Sequence, residues 1–395
     1  MGEVRKNILN RALLNPISVY SGGIPVAGFA ADDLADAVAA AGELASVTNP
    51  VNVQLAPATY VLTASLSVPE YVSLIGQPGV VIDAVTNSVQ NALLQYSHTH
   101  VRDIELRGHT TGIYLSVDNT DVVDDCWIEG MTFVGVFCNV GNADYPSPAA
   151  VFNVHILNNR LSGNQPISWV CDSLSNVEII GNYQDEVITT EGCFGLMGCA
   201  VLSLGGGPVH SITMAYNNIR VLNKLTSANP NRMGYITDLE GSNMNIHHNL
   251  MEYSTEFITP AAAASPATRQ FLQMNVDGEV ISGNSHALPN QIHDNVFRIY
   301  QIGDTGATNQ VVTAVQEAHN NALVLSPDLV LSNNLFDFRS TAEAGEVYVR
   351  GRIVSIADYN TSNHQIYAYP SAVDGFGSDG DVCLNADVNE WPPAA

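Results

Sequence analysis

The sequence predicts an all-β chain wound as a parallel β-helix, with one α-helix at the start of the coils. Two observations support this prediction. After residue 50, apolar residues alternate with polar ones over short stretches, which is the period of a β-strand. A strand, a polar step, an asparagine and a further apolar residue then recur along the chain, with the asparagines at Asn159, Asn182, Asn218, Asn249, Asn295 and Asn334. A repeated core coil of about 22 residues with variable insertions is typical of solenoids, whose coils stack as rungs.

The predicted helix covers residues 32–45. Apolar residues recur there at helical spacing, and Asp32 and Asp33 lie in the first turn, where the helix dipole favours negative charge. The ends of a β-helix expose unpaired strand edges that have to be covered. We therefore expect this helix to cap the first coil.

Short strands separated by tight turns follow the helix, for example at residues 51–56, 59–62 and 72–76. Asparagine suits the corner between two such strands because it tolerates the left-handed backbone conformation. Its amide can also hydrogen-bond to the same residue one rung away. We expect the recurring asparagines to form a ladder of this kind.

The charge balance excludes several classes of partner. The 395 residues include 14 Lys and Arg against 39 Asp and Glu, a formal net charge of −25, and no Lys or Arg lies between Arg11 and Arg102. Binding to a phosphate backbone depends on Lys and Arg displacing counterions, so we expect no nucleic-acid partner. An anionic membrane surface is excluded for the same reason, and no apolar stretch is long enough to predict membrane insertion.

The N-terminal segment and the cysteines indicate where the chain is made. Asn7, Asn10 and Asn15 interrupt the apolar stretches at the N-terminus, so no signal-peptide core is predicted. The six cysteines show neither a CxxC motif nor a zinc-finger spacing. We interpret them as buried thiols of a protein made in a cytoplasm.

The segment from Asp32 to Ile82, an Ala-rich helix, an alternating strand and the stretch SVPEYVSLIGQPGVVID, resembles a known family. It is similar to the N-terminal cap and first rungs of the right-handed parallel β-helix proteins of the pectin-lyase-like superfamily, in particular phage tailspikes and related polysaccharide depolymerases. The resemblance covers about residues 32–340 and implies a right-handed, single-stranded parallel β-helix. It implies no single activity, because this fold carries lyases, hydrolases, esterases and adhesins.

The resemblance also implies a domain organisation. Residues 1–31 are an N-terminal attachment or linker segment that docks on other virion proteins. Residues 32–345 are the capped β-helix, and residues 346–395 are a small β-rich tail for capping, trimerisation or interaction. The chain is expected to form a homotrimer and to reach the virion after synthesis in the host cytoplasm and release by lysis.

The function predicted from this likeness is that of a phage virion spike that binds a bacterial surface polysaccharide and, in one version, depolymerises it. A capsid decoration protein without catalysis and a free polysaccharide hydrolase or lyase are the alternatives. If the protein is an enzyme, a glycoside hydrolase is favoured over a lyase, because Lys is scarce and no Asp-rich calcium motif accompanies an Arg. No cofactor and no metal ion are expected.

The candidate site residues lie in two long insertions, residues 183–211 and 223–243, because loops on a rigid scaffold carry function. Glycosidic hydrolysis needs a pair of carboxylates, and arginine or tyrosine can bind or stack on a sugar. The predicted catalytic residues are Asp238, Glu240, Asp185 and Glu186. The predicted substrate-binding residues are Arg232, Tyr235 and Glu191.

Other conspicuous residues have plainer interpretations. The group from Asp118 to Asp125 resembles the Asn-Thr-Asp and Asp-Asp elements of polygalacturonases, but the Gly-His-Gly and Arg-x-Lys elements are missing, so it is predicted to be a solvated acidic turn. Trp127 is predicted to pack in the core or at a corner. His98 and His100, and likewise the adjacent His247 and His248, are predicted to be ordinary polar side chains of a β surface.

Overall fold

A computed structural model describes residues 24–25, 31–108, 111–115, 122–134, 137–141, 150–162, 167–170, 173–185, 187–189, 194–197, 209–225, 234–240, 243–257, 268–275, 290–302, 310–318, 329–340, 347–351, 367–368 and 382–385. These residues form one α-helix, α1 (Ala31–Leu44), and three long β-sheets. Each coil of the chain contributes one strand to each sheet in turn, and the pairings among strands β1 to β32 are parallel. The architecture is a right-handed parallel β-helix, as predicted.

The three sheets are named here by their strands, numbered in chain order. Sheet A consists of β1 (Ile24–Pro25), β2 (Val51–Leu55), β5 (Val72–Gly76), β8 (His100–Arg102), β11 (Val122–Glu129), β14 (Ala150–Leu157), β17 (Ser173–Ile180), β21 (Val209–Ala215), β24 (Asn245–His247), β27 (Asn290–His293) and β30 (Leu329–Ser332). Sheet B consists of β3 (Thr59–Val61), β6 (Val81–Asp83), β9 (Glu105–Arg107), β12 (Thr132–Val134), β15 (Arg160–Leu161), β18 (Tyr183–Gln184), β19 (Val187–Thr189), β22 (Asn218–Leu225), β25 (Leu250–Phe257), β28 (Val296–Ile302) and β31 (Leu335–Ser340). Sheet C consists of β4 (Leu66–Val68), β7 (Asn91–Gln95), β10 (Thr111–Leu115), β13 (Phe137–Gly141), β16 (Ile167–Val170), β20 (Phe194–Met197), β23 (Gly234–Glu240), β26 (Thr268–Asn275), β29 (Gln310–Ala318), β32 (Val347–Gly351), β33 (Tyr367–Ala368) and β34 (Val382–Asn385).

Helix α1 covers the first coil, which confirms the predicted cap to within one residue at each end. Leu34, Val38 and Ala41 form its buried stripe and belong to the same core as the first strands. The helix lies close to the strand layer, because a Cβ atom on Gly42 would meet Cγ of Pro69 at 2.8 Å. The apolar stripe and the small residue Gly42 together allow the helix to pack closely against the first coil.

The core is a set of apolar columns that run along the helix axis. The central column of sheet A is formed by residues in register on successive rungs, each fully or almost fully buried: Val53, Leu74, Val101, Ile128, Ile156, Ile179, Met214, Ile246 and Ile292. Burying one such side chain stabilises the fold by about 1.5–3 kcal/mol. Because alternate strand residues point inward, the intervening residues of sheet A face outward.

A buried asparagine ladder runs along the corner between sheets A and B. Its members, which are at most 4% exposed, are Asn159, Asn182, Asn217, Asn249, Asn295 and Asn334. Each Oδ1 accepts hydrogen bonds from the previous rung, as Asn217 Oδ1 does from the backbone N and the Nδ2 of Asn182, at 2.9 and 3.0 Å. Asn217 Nδ2 in turn donates to Ile179 O and to Asn249 Oδ1, both at 2.9 Å. The predicted ladder is therefore present.

Two details of the predicted ladder were wrong. Asn217, not Asn218, occupies the ladder position, because Asn218 is already the first residue of β22. The left-handed residue of the corner is also not the ladder residue but the one before it, as at Asn158, Tyr216 and His248, whose φ angles lie between 55° and 58°. The left-handed conformation and the hydrogen bond to the next rung thus occur at two consecutive positions of the corner and not at one.

The ends of the described chain depart from the regular coil. The two residues of β1 pair in parallel with β2, so part of the predicted linker at residues 1–31 belongs to sheet A. At the other end β32 still pairs in parallel with β29, whereas β34 pairs antiparallel with β32 and β33. The remainder of the predicted tail lies outside the described residues. Within the described ranges no helix is long and apolar enough to cross a bilayer.

Replacing Asn217 by Ala is expected to lower the free energy of unfolding by about 3 kcal/mol, because the buried Asn182 N–H and the Ile179 carbonyl lose their partner, at roughly 1–3 kcal/mol each. Urea unfolding measures this change. The matched control is Asn218→Ala, since Asn218 Oδ1 has no hydrogen-bond partner among the described residues. A loss for Asn218→Ala that equals the loss for Asn217→Ala would contradict the assigned ladder.

Candidate functional site

The structure holds the predicted catalytic residue Asp185 in an ion pair. Arg160 Nε lies 2.9 Å from Asp185 Oδ2, and Arg160 Nη2 lies 2.9 Å from Oδ1. The carboxylate raises the pKa of Arg160 through these hydrogen bonds. Arg160 also lines a shallow depression of about 360 Å³ with Asn158, Gly181 and Tyr183, among others. Asp185 is therefore ion-paired with an arginine of the same chain at the surface of sheet B.

Three other predicted site residues, Tyr235, Asp238 and Glu240, lie on one strand of sheet C. Asp238 and Glu240 are alternate residues of β23 in sheet C, in register with Gln273 and Asn275. Tyr235 lies on the same strand. Asp238 and Glu240 thus share one strand, whereas Asp185 follows a strand of sheet B. The predicted roles of these residues remain predictions.

Three predicted residues lie outside the described residues. They are Glu186, Arg232 and Glu191.

The outward surface of sheet A carries a row of aromatic and acidic side chains that the sequence analysis did not identify. His100, Trp127, His155 and Glu178 occupy equivalent positions on β8, β11, β14 and β17. Each stands one residue before a member of the buried central column, so the strand alternation turns it outward. Four consecutive rungs therefore present one continuous row.

The side chains of this row contact one another along the helix axis. The ring centroids of Trp127 and His155 are 3.8 Å apart with an interplanar angle of 20°, and those of His100 and Trp127 are 6.0 Å apart. His155 Nδ1 lies 2.7 Å from Glu178 Oε2, with both side chains 13% exposed. The core or corner packing predicted for Trp127 is wrong, because this residue is a half-buried member of an outward row.

Acidic side chains flank the row. Trp127 Nε1 donates to Asp125 Oδ1 at 2.9 Å, and His100 Nε2 lies 3.2 Å from Glu129 Oε2. His98 Nδ1 lies 3.7 Å from Asp125 Oδ2. Asp124 and Asp125 are residues of β11, so this part of the predicted acidic turn is a strand.

We call this surface the aromatic–acid face. Its residues are His98, His100, Asp125, Trp127, Glu129, His155 and Glu178.

The electrostatics of the aromatic–acid face favour an ionised Glu129 carboxylate. The contact with His100 holds the pKa of Glu129 below its ordinary value, although burial acts in the opposite direction. Directly beneath, Cys126 points into the core, and burial raises its pKa to about 12, so its thiol takes no part in chemistry at this surface. The predicted burial of the cysteines is confirmed for Cys126. The face therefore presents hydrogen-bond acceptors from acids and both donors and acceptors from imidazoles.

A second cluster of polar rings lies further along sheet A. The rings of His247 and His293, which are in register on β24 and β27, stack with centroids 5.0 Å apart. Tyr216 stacks on His248 at 5.0 Å. Burial is the main cause that lowers the pKa of His247, with His293 and His248 as further causes. We call Tyr216, His247, His248, His293 and Asp294 the histidine cluster.

Comparisons with known proteins found a similarity among solved structures alone. No protein-family model matches the chain, and no curated protein matches it. Among solved structures, the chain is similar to the alginate lyase from Paenibacillus sp. str. FPU-7, with 11% sequence identity and a TM-score of 0.19, over 81% of this chain and 99% of that chain. With so low a TM-score, the description of the fold rests on the sheet topology of the chain itself.

A signal for the aromatic–acid face was present in the repeat. His155 and Glu178 each precede a ladder asparagine by four residues, and Trp127 precedes Met131, which donates to Asn159, by the same distance. Aligning the repeats on their corners, rather than searching the insertions, would have placed these residues in one row.

Replacing Glu129 by Gln is expected to lower stability at neutral pH but not in acid. Because the folded pKa of Glu129 is below the ordinary 4.5, its ionised form stabilises the fold above that pH. This contribution is lost as the pH falls through the lowered folded pKa. Because the Glu129 side chain is partly exposed, the free energies of unfolding of the two proteins are expected to differ by about 1 kcal/mol at pH 7.

Urea unfolding of both proteins at pH 7 and at about pH 3 measures the difference. Glu43→Gln, which changes an exposed carboxylate on α1, is the control. A difference between wild type and Glu129→Gln that is as large in acid as at neutral pH would contradict the assigned interaction.

Proposed function

We propose that this protein is a virion spike that binds a bacterial surface polysaccharide along the outward face of sheet A. The observation that carries the proposal is the aromatic–acid face, in which His100, Trp127, His155 and Glu178 form one row over four rungs. At about 4.8 Å between neighbouring strands, the row is roughly 14 Å long. A straight row of this length suits an extended polymer better than a compact ligand.

The chemistry of the row suits sugar hydroxyl groups. Carboxylate oxygens of Glu129 and Glu178 accept hydrogen bonds from hydroxyls, and imidazole nitrogens can donate to or accept from them. The edges of Trp127 and His155 offer apolar contact between the polar groups, because their stacked faces are directed along the helix axis. The formal net charge of −25 favours a neutral glycan over a polyanionic one.

The scaffold holds these side chains in place before a ligand arrives. Ile128 and Ile156, which lie next to Trp127 and His155, are fully buried in the central column. The row is also braced by its own contacts, such as the hydrogen bond between Trp127 and Asp125. A preorganised surface loses little side-chain entropy on binding, which favours affinity for a flexible polymer.

The virion assignment rests on the resemblance of residues 32–82 to tailspike caps. In this proposal residues 1–31 contact other virion proteins, residues 346–395 serve capping or trimerisation, and the chain acts as a homotrimer. In the same proposal the chain is synthesised in the host cytoplasm and released by lysis.

Depolymerisation of the bound polysaccharide is a second candidate function, favoured by the pair of His155 and Glu178. A neutral imidazole that donates from Nδ1 to a carboxylate keeps its lone pair on Nε2, where it can accept a proton. The same pair would serve a free hydrolase or lyase. A capsid decoration protein would need neither the pair nor the face.

Replacing Trp127 by Ala is expected to weaken polysaccharide binding about tenfold, which corresponds to roughly 1.4 kcal/mol. The reason is that His155 loses the ring on which it stacks and the face loses its apolar edge. Calorimetric titration with a panel of purified bacterial surface polysaccharides measures the effect. Tyr183→Ala, which removes a 39% exposed aromatic residue of sheet B, is the control and should bind as the wild type does.

Two results would contradict the binding proposal. One is that Trp127→Ala binds as tightly as the wild type. The other is that no polysaccharide of the panel binds to either protein. Sizing of the polysaccharide after incubation, together with absorbance of unsaturated products, tests the second candidate, and His155→Gln should abolish any cleavage.

The purified chain is expected to be a trimer, with three times the 42.2 kDa mass of one chain. The expectation comes from the resemblance of residues 32–82 to phage tailspikes, which are trimers. Light scattering coupled to size-exclusion chromatography gives the mass. A monomer would favour the free enzyme over the spike.

A further inference from the structure

We propose that His248, His293 and Asp294 bind a divalent transition-metal ion, with Zn²⁺ as the ion to test. Each of the three residues offers one ligand atom, and these atoms lie within 4.8 Å of one another. Metal–ligand distances of about 2.0–2.2 Å place the ligands of a tetrahedral site roughly 3.4 Å apart. Because His248 is exposed at the corner, a change of its side-chain torsions can close the remaining gap.

The corner geometry brings the three residues together. His248 and Asp294 occupy the same left-handed corner position on neighbouring rungs, each with a φ of 56°. His293 directly precedes Asp294 and ends β27, in register with His247 on β24. The ladder residues Asn249 and Asn295, which follow the corners, hold the two rungs together at 3.0 Å. The candidate ligands therefore come from two rungs that the core already fixes.

His293 has an oxygen partner at each ring nitrogen. Nε2 lies 3.0 Å from Asn245 Oδ1 and can donate to it, and Nδ1 donates to Asp294 Oδ2 at 2.7 Å. A bound ion would replace the Nδ1 proton of this hydrogen bond and contact both Nδ1 and the carboxylate. Histidine ligands in proteins usually donate their second N–H to an oxygen, which fixes the tautomer and the ring orientation. Asn245 fills this supporting role.

His248 can be oriented in the same way by its neighbour. His248 Nδ1 lies 2.9 Å from His247 Nδ1, so one of the two nitrogens donates the proton. Donation by His248 leaves the lone pair of its Nε2 available to an ion. The ring is also held by Tyr216, which stacks on it.

The ligand set identifies the class of ion. Two imidazoles and one carboxylate suit zinc and its neighbours in the first transition series, whereas calcium and magnesium prefer oxygen ligands alone. Three protein ligands leave at least one coordination position for water or for an oxygen atom of another molecule. This proposal does not depend on the polysaccharide proposal, and it departs from the expectation of no metal drawn from the sequence.

A metal ion bound here would join the two ends of the longest coil between successive ladder residues. The steps between successive ladder residues are 23, 35, 32, 46 and 39 residues, and the step of 46 residues joins Asn249 to Asn295. The ligands His248 and Asp294 stand at the two ends of that step. An ion that binds the folded chain and not the unfolded one stabilises the fold by RT ln(1 + c/Kd), where c is the concentration of the free ion, and so raises the melting temperature. The site would thus stabilise the coil that carries the largest insertion.

The experiment is a calorimetric titration of ZnCl₂ into tag-free, chelator-treated, full-length protein. The wild type is expected to bind one ion per chain and to gain thermal stability. The double variant His248→Asn, Asp294→Asn should bind at least about 100-fold more weakly and gain no stability, because two of three ligands are lost. Asparagine fits both corners, since Asn158 and Asn333 already adopt this conformation.

The control variant is Asp103→Asn, which makes the same change of charge at an equivalent left-handed corner away from the histidine cluster. It should bind Zn²⁺ as the wild type does. Asn245→Ala should weaken binding by about 10–100-fold without removal of a ligand. No saturable binding by the wild type, or equal binding by the double variant, would overturn the proposal.

Discussion

The buried asparagine ladder determines how each coil sits on the next. The amide of Asn217 is satisfied only when Asn182, Ile179 and Asn249 face it, and every ladder residue up to Asn334 depends on its neighbours in the same way. A slip of one residue in any rung would leave buried polar groups unpaired, at about 1–3 kcal/mol each. It would also turn the apolar column outward. The ladder and the core therefore enforce one register, whatever the length of the insertion between two corners.

The surface chemistry of the protein follows from that register. Because rungs are stacked without offset, residues far apart in sequence form straight rows, such as His100, Trp127, His155 and Glu178. The corner positions form a second row, which brings His248 next to Asp294. Both candidate sites are thus products of the same stacking, and both lie on rigid strands or corners and not in the long insertions.

Several features could be predicted from local sequence alone. Helix α1 was predicted from a stripe at helical spacing, and the ladder from recurring asparagines, since both signals lie within a few neighbouring residues. One ladder residue was misassigned where Asn217 and Asn218 are adjacent, because sequence spacing cannot tell which of two amides turns inward. Trp127 was misplaced for a related reason, as an aromatic residue among apolar ones resembles a core residue.

Local sequence patterns were enough to predict the fold class, the cap and the asparagine ladder, because strand period, helix stripe and asparagine preference are local properties of the chain. They did not determine which outward side chains contact one another, because such contacts depend on how the side chains of different coils pack. Only the tertiary structure placed His155 against Trp127 and His293 beside His248 across the longest step of the ladder. The physical reason is that register is set by buried hydrogen bonds and packing between coils, which no single coil contains.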